Sequence, residues 1–523
     1  MFLKPRRLIG ASLLFGVFGV ACGARTGIYT DDAGADPPPA PCVIDADCAT
    51  GDACARAECR EGVCSPLPPT VCNDQNECTS DSCDPDSGRC AFTPLTMDLD
   101  GDGHASPRPG FAPGSPGACG DDCDDRSAAA HPGGTEACDG VDNDCNGKVD
   151  DNAVYGGLTQ PVRLSSAAFD RANGSGLAFD GTNYGVSLSG HQQLWSSYFL
   201  GLSRSAAIVV PQTSLADVNS ETYAGPLIHN GSYFESVWAD ARQDGNYEIY
   251  FNRFDSNGKK LGPDLRVTRA RDFSLNPTVA WNGSESLLVW DDRRFEGPGQ
   301  DEPHVFAQRI AFDGTLIGDN VQLAGSGTRG ENPGIALGKT RVGVAFAART
   351  STGSSRTAFL TTAPDLSGQS ALVDLGGTDV EGPGIASVSG RFVVAWQTKG
   401  SNYGPSIYAA VVDEAGGVLV PARPITSGAS FARSFSLVSL GDRVLLVWAD
   451  DHDGNYELYQ EILDENLNVL MGRTRLSFTP TDTLSPVVSL GPKGDLGVLY
   501  DDWQSGSRQS YFISMSCAMP LTR

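Results

Sequence analysis

The chain has 523 residues, enough for about three ordinary domains, and 64 acidic against 38 basic side chains give a net charge of −26. That balance excludes a nucleic-acid binder, which needs a basic footprint. A hydrophobic content of 40% supports packed cores, while 62 Gly and 32 Pro point to many turns and short strands rather than long helices.

At the start, Lys4, Arg6 and Arg7 precede an apolar run over 8–21, the pattern of a secretory signal over 1–21. No later stretch approaches the roughly 18 apolar residues of a transmembrane helix. The run Gly19-Val20-Ala21-Cys22 resembles a bacterial lipobox. The resemblance implies lipidation at Cys22, a membrane contact through that lipid alone, and a place at the outer membrane or cell surface. Cleavage without lipidation gives a secreted or periplasmic protein instead. Residues 22–41, with Asp31, Asp32 and four prolines, read as a solvated tether.

Residues 31–151 hold 26 acidic and 6 basic side chains, a net −20. With +4 over residues 1–30, only −10 is left for the remaining 372 positions, so the acidity is local. Beyond Cys22 the cysteines fall into nine at 42–90, four at 119–145, and Cys517 alone. Export makes disulfides the expected state, and a segment poor in large apolar residues needs them in place of a core. Zinc is a poor fit, because 42–92 has no His. By parity, one Cys of the first group is left over, and Cys517 is its simplest partner. The run Cys78-Thr-Ser-Asp-Ser-Cys83 resembles the short Cys-Thr-x-Asp-x-Cys repeats of slime-mould and bacterial surface proteins, and 42–92 reads as a disulfide-rich spacer.

Residues 97–151 contain two ladders, Asp98-Leu-Asp100-Gly-Asp102-Gly103 and Asp142-Asn-Asp144-Cys-Asn146-Gly147 followed by Asp150. Oxygen side chains at positions 1, 3 and 5 with Gly at 6 suit a calcium loop, in which alternate carboxylates converge on one hard cation. Pro109 and Ala153 stand where an EF-hand has its bidentate Glu, so further ligands must come from elsewhere. Asp121, Asp122, Asp124, Asp125 and Asp139 are the candidates nearby. The series from Asp98 through Asp122-Cys-Asp-Asp125, His131-Pro-Gly and Glu136-x-Cys-Asp-Gly-Val-Asp-Asn-Asp-Cys145 to Asp150 resembles the metal-binding motif named after MopE. The resemblance implies metal binding, and its founding member is a copper protein. Copper is not expected here, because its softer ligands would be His, Met or thiolate, and only His104 and His131 lie in the segment. Oxygen ladders favour a structural Ca2+.

From 158 to 517 one unit recurs. An apolar strand, a turn and a second strand ending on a large side chain appear at 176–188, 226–238, 277–290, 333–346, 383–396, 435–448 and 486–500, about 52 residues apart. A third strand follows each, and a fourth appears six times. The missing seventh lies ahead of the first copy, as Pro161-Val-Arg-Leu-Ser165. The fold class is therefore all-β: a seven-bladed propeller (six or eight blades as alternatives) closed by its N-terminal strand and preceded by a little-structured stalk. Asp240, Asp292, Asp450 and Asp502 recur two residues after the anchor. Like groups at equivalent places suggest turn-capping rather than catalysis, and the Trp anchors suggest packing between blades.

No Gly-x-Ser-x-Gly elbow, no sialidase-type Asp box and no His pair at metal spacing occurs. The expected protein is a non-enzymatic, surface-anchored stalk, without a catalytic residue, that presents the propeller to a protein or polysaccharide. An extracellular polysaccharide hydrolase or lyase of the propeller type is the alternative.

Overall fold

The computed structural model describes residues 41–134, 136, 142–147, 154–156, 158–243, 245–295, 302–325, 327–350, 353–398, 406–426, 430–491 and 495–518, with backbone only for 154–156 and 516–518. The signal segment, the tether and Cys22 lie outside that range, as does Cys138. The side chain of Cys517, and with it the expected bridge, lies outside as well. The chain divides into two compact units, Met1–Leu95 and Thr96–Arg523.

Seven four-stranded antiparallel sheets follow one another as the blades of a propeller, so the count of seven holds. Blade 1 runs Arg171–Phe179, Asn183–His191, Trp195–Ser203 and Ile208–Ser214; blade 2 runs Thr222–His229, Phe234–Gln243, Asn246–Phe254 and Leu265–Arg266. Blade 3 begins at Ser274–Trp281, blade 4 at Gly330–Leu337, blade 5 at Val380–Val388 and blade 6 at Ala432–Ser439. Blade 7 comprises Thr483–Leu490, Leu496–Asp502 and Gln509–Ala518, and its fourth strand is Val162–Arg163 from the other end of the chain. Phe512 pairs with Val162 and Tyr511 with Arg163, as the closure reading requires. A second segment not foreseen from sequence, Val154–Gly156, extends the same edge by pairing with 516–518.

The repeat takes this form because each second strand is sandwiched between neighbouring blades. Ser286-Leu-Leu-Val-Trp-Asp-Asp292 is buried at every position, whereas the outermost strand Val469–Arg475 is mostly exposed. The apolar clusters accordingly span seams: Val237, Ile249 and Phe251 of blade 2 pack with Leu288, Trp290 and Phe306 of blade 3. At the closing seam Leu499 and Phe512 of blade 7 pack with Leu177, Val186 and Leu200 of blade 1, joined by Leu164.

Trp238, Trp290, Trp396 and Trp448 are fully buried in these seams. Each recurrent Asp accepts a backbone N–H two residues on: Asp240 from Arg242, Asp292 from Arg294, Asp450 from His452 and Asp502 from Gln504, at 2.7–2.9 Å. The other oxygen accepts the indole N–H of Trp238, Trp290 or Trp448. Where the anchor is Tyr500, Asp502 instead gathers the hydroxyls of Thr479, Thr481 and Thr483. These aspartates cap turns and orient tryptophans.

The first unit is built differently. It holds a short 3-10 turn (Asp45–Cys48) and two hairpins, Ala57–Arg60 with Val63–Pro66 and Thr79–Cys83 with Cys90–Pro94. Four disulfides join Cys42 to Cys59, Cys48 to Cys64, Cys54 to Cys83 and Cys72 to Cys90. These bridges use eight of the nine cysteines there, and the ninth, Cys78, is also disulfide-bonded. Among the described residues no α-helix occurs, and no helix is long and apolar enough to cross a membrane.

Candidate metal centre

Between Thr96 and Gly147 the described chain has neither helix nor strand, so its shape depends on local hydrogen bonds and on disulfides, among them Cys123–Cys145. Cys119 is disulfide-bonded as well, to neither of these two. In the first ladder Asp98 accepts the N–H of Gly101 (2.7 Å) and of Gly103 (3.0 Å), Asp100 that of Asp102, and Asp102 that of His104. In the second, Asp142 accepts from Asn146 and from Gly147 (2.8 Å), and Asp144 from Asn146. In both, the position-1 Asp holds the Gly at position 6. That Gly is left-handed in each loop, with φ of 99° at Gly103 and 89° at Gly147, which a side chain would strain.

Two further glycines bring distant carboxylates onto the ladders. A Cβ on Gly120 would lie 2.1 Å from the Ser106 carbonyl oxygen, and one on Gly134 would lie 2.1 Å from that of Asn143. These close approaches are anchored by Asp122 N–H donating to Ala105 (3.1 Å) and His131 N–H donating to Asn143 (3.0 Å). The first places Asp122 and Asp125 against the first ladder, and the second places Glu136 against the other.

Three carboxylate clusters result, each with oxygen atoms within 4.8 Å of one another: Asp98 with Asp100 and Asp125, Asp100 with Asp102 and Asp122, and Glu136 with Asp142 and Asp144. Asp122 and Glu136 are 1% and 4% exposed. Burial raises both their pKa values, and neighbouring carboxylates add to the shift. Among the described residues, four buried oxygens in these clusters have no hydrogen-bond partner: Asp100 Oδ2, Asp102 Oδ2, Asp122 Oδ2 and Glu136 Oε2. Buried acceptors are ordinarily satisfied, and converging carboxylates repel unless a cation lies between them. The donor set therefore fits a hard cation at each ladder, bound by Asp98, Asp100, Asp102, Asp122 and Asp125 at one and by Glu136, Asp142 and Asp144 at the other.

The remaining candidates fall elsewhere. Asp124 belongs to no cluster among the described residues; its backbone carbonyl takes the turn N–H groups of Arg126 and Ser127. Asp121 bonds His104 Nδ1 at 3.0 Å and holds that imidazole above its usual pKa. Asn146 contributes its backbone N–H to the loop, and its side chain is exposed. Asp139 and Asp150 lie outside the described residues. Glu136 was missed as a ligand, although it is the only Glu between 97 and 151. His104 and His131 stack at 5.1 Å, but among the described residues no cluster combines a His with the carboxylates.

The fold and this site define a class: an all-β, disulfide-rich protein in which an acidic metal-binding motif precedes a seven-bladed propeller. Residues 122–151 match the copper-binding MopE family, described as "Putative metal-binding motif", and residues 71–95 match the Dictyostelium (slime mold) repeat. No curated protein matches the chain. Among solved structures it is similar to a subtype N10 neuraminidase-like protein of A/little yellow-shouldered bat/Guatemala. That likeness has 10% identity and a TM-score of 0.41, over 71% of this chain and 100% of that one. A protein of unknown function from Dyadobacter fermentans gives 13% and 0.44, over 69% and 100%. An α-L-arabinofuranosidase from Lactobacillus brevis gives 12% and 0.33, over 48% and 94%. Overlaps of this quality say nothing about activity.

Proposed function

We propose that the protein is an exported, lipid-anchored binding protein whose acidic segment takes up Ca2+ and whose propeller presents a face to an extracellular protein or glycan. The observation that supports the metal part most strongly is the set of partnerless buried oxygens on Asp100, Asp102, Asp122 and Glu136. The donors are carboxylates, and Cys123 and Cys145 are tied to each other and offer no thiolate. Calcium is favoured over copper on that chemistry, at the roughly 10⁻⁴–10⁻³ M typical of extracellular modules. The disulfides support export. Calorimetry of the full chain with Ca2+ and with Cu2+ tests the reading: heat with calcium, reduced by Asp100→Asn and by Asp144→Asn, is expected. Tight copper binding with silence toward calcium would overturn it.

One observation favours the hydrolytic alternative. Glu331, Asp379 and Glu381 line a cavity of about 520 Å³ between blades 4 and 5, together with Arg349. Glu331 is engaged by Arg349 at 2.7 Å and Glu381 by Gln397 at 3.2 Å. Release of reducing ends from polysaccharide, abolished by Glu331→Gln or Glu381→Gln, would install that reading in place of the first.

A further inference from the structure

Blades 1 to 3 carry a continuous row of aromatic rings. Trp195 heads the third strand of blade 1, Tyr223 lies in the first strand of blade 2, Tyr247 in its third, and Phe273 immediately precedes blade 3. Neighbouring ring centroids are 5.9, 5.7 and 5.6 Å apart with their planes turned by 39°, 47° and 70°, so the row is twisted rather than flat, and His191 extends it beyond Trp195 at 5.2 Å. All are at least partly exposed, Tyr223 by 37%.

Packing alone does not require the row. Strand register places Trp195, Tyr247, Pro303, Ser355, Tyr456 and Arg508 at one equivalent position, immediately before the residue paired with the turn-capping site. Blades 3, 4 and 7 close their seams with Pro, Ser and Arg there, so a seam does not demand an aromatic, although Tyr247 packs beside the cluster of blades 2 and 3 as Tyr456 does beside that of blades 6 and 7. Polar groups flank the rings. The Tyr223 hydroxyl donates to Glu221 at 2.9 Å, the Arg171 guanidinium lies 5.5 Å from the Trp195 ring, and Asp170 pairs with His191 at 2.7 Å.

A row one ring wide, edged by hydrogen-bonding groups, suits a ligand with apolar faces and a polar perimeter. Sugars have that form: their C–H faces pack on aromatic faces while their hydroxyls meet the polar edge. A protein partner calls for a broader desolvated patch, and nucleic acid is opposed by the charge of −26. The −10 carried by 152–523 also disfavours a polyanionic chain. We infer that the row Trp195–Tyr223–Tyr247–Phe273 is a binding track for an extended neutral polysaccharide, successive sugars lying over successive rings. This rests on the binding-module reading and names its ligand class and its face.

Affinity electrophoresis of the full chain in gels containing laminarin, xylan or glucomannan tests it. Retardation by at least one of the three is expected, with at least tenfold weaker binding in Trp195→Leu and in Tyr247→Leu. Leucine stays apolar while removing the ring face at these partly exposed positions, and an unchanged melting temperature certifies the fold. Tyr456→Leu, at the equivalent position in blade 6, should bind as the parent does. No retardation in any gel overturns the track, as does retardation that the Trp195 and Tyr247 variants leave intact. The second result spares the binding-module reading. Ring-dependent retardation accompanied by chain shortening supports the track while overturning the non-enzymatic reading.

Discussion

The two units of the chain solve the same problem with different chemistry. In Met1–Leu95 the only buried apolar side chains among the described residues are Cys42 and Cys48, and Val43, Val71 and Phe92 stand exposed. Covalent bridges substitute for a core there, restricting the unfolded chain rather than rewarding the folded one. In the propeller every seam is an apolar cluster drawn from two blades, and the ring is tied shut by only two short N-terminal segments. The difference predicts opposite vulnerabilities: the first unit fails when its sulfurs are reduced, and the propeller fails when its seams or its closure are opened.

The largest effect should come from closure. Deleting 154–164 strips the outer edge of blade 7 and removes Leu164 from the closing seam, where it is 5% exposed. The seam between blades 7 and 1 then keeps its side-chain packing and the Ala172 N–H bond to the Arg508 carbonyl (2.8 Å) but loses the paired strand, and the loss should exceed that of any single core substitution, which is roughly 3–5 kcal/mol for a large aromatic to Ala. Thermal unfolding should show the propeller transition lowered far more by this deletion than by Trp448→Ala. Equal shifts would mean that closure is not what holds the ring.

Next comes the reciprocal break. Replacing Cys54 and Cys83 by Ser removes the bridge with the longest span in the first unit, and a native disulfide in so small a module is worth about 2–5 kcal/mol. Protease resistance of 42–95 should fall while the propeller melting temperature stays put. A matching fall in the propeller transition would show that the two units are not independently stabilised.

Much of the propeller was legible because its burial pattern is periodic twice over, along the strand and along the chain. The anchors and the turn aspartates could be aligned copy against copy, and Val162–Arg163 was visible as a fourth strand without a blade. Val154–Gly156 escaped because a three-residue edge segment carries no alternation to read. At the metal centre the ladders themselves were legible from spacing. The contribution of Glu136 was not, because the approach of Gly134 to Asn143 is a non-local backbone contact. The aromatic row was invisible for a related reason: Trp195, Tyr223, Tyr247 and Phe273 belong to three different copies and meet only when blades are placed side by side.

A third prediction sharpens the account of the seams through pH. Asp291 is buried between blades 3 and 4, and desolvation outweighs the hydrogen bonds from Asn276 (2.7 Å) and the Asn332 N–H (3.1 Å), raising its pKa from 3.8 to about 6. Between those values the folded form keeps a proton that the unfolded form has released. Stability from this group therefore falls as pH rises from about 4 to about 6, and is flat above. The change is on the order of 1–3 kcal/mol. Both bonds end on Oδ2, which the amide oxygen of Asn can replace, so Asp291→Asn should keep the fold and lessen the slope over that range, the rest coming from Asp501, which burial also raises to about 6. Denaturant titrations at pH 4, 5, 6 and 7 measure it. A parental slope in the variant would assign the effect to another group.

The smallest effect concerns two tryptophans that differ in one hydrogen bond. Trp448 is fully buried and donates its indole N–H to Asp450 at 3.1 Å, whereas Trp396 is equally buried with Thr398 at the corresponding place and no partner for its N–H. Replacement by Phe removes similar volume at either site, so the packing losses should be alike. At 448 the substitution also leaves a fully buried carboxylate short of a donor, with Arg473 3.9 Å away as its remaining cation. At 396 it removes an unsatisfied donor, which is a gain. Trp448→Phe should therefore cost about 2 kcal/mol more than Trp396→Phe, the range expected for stranding a buried polar group. Urea midpoints of the two variants, compared at equal m-value, read the difference directly. Equal midpoints would mean that the recurrent Asp holds only its turn, and that the indole contact contributes nothing to the seam.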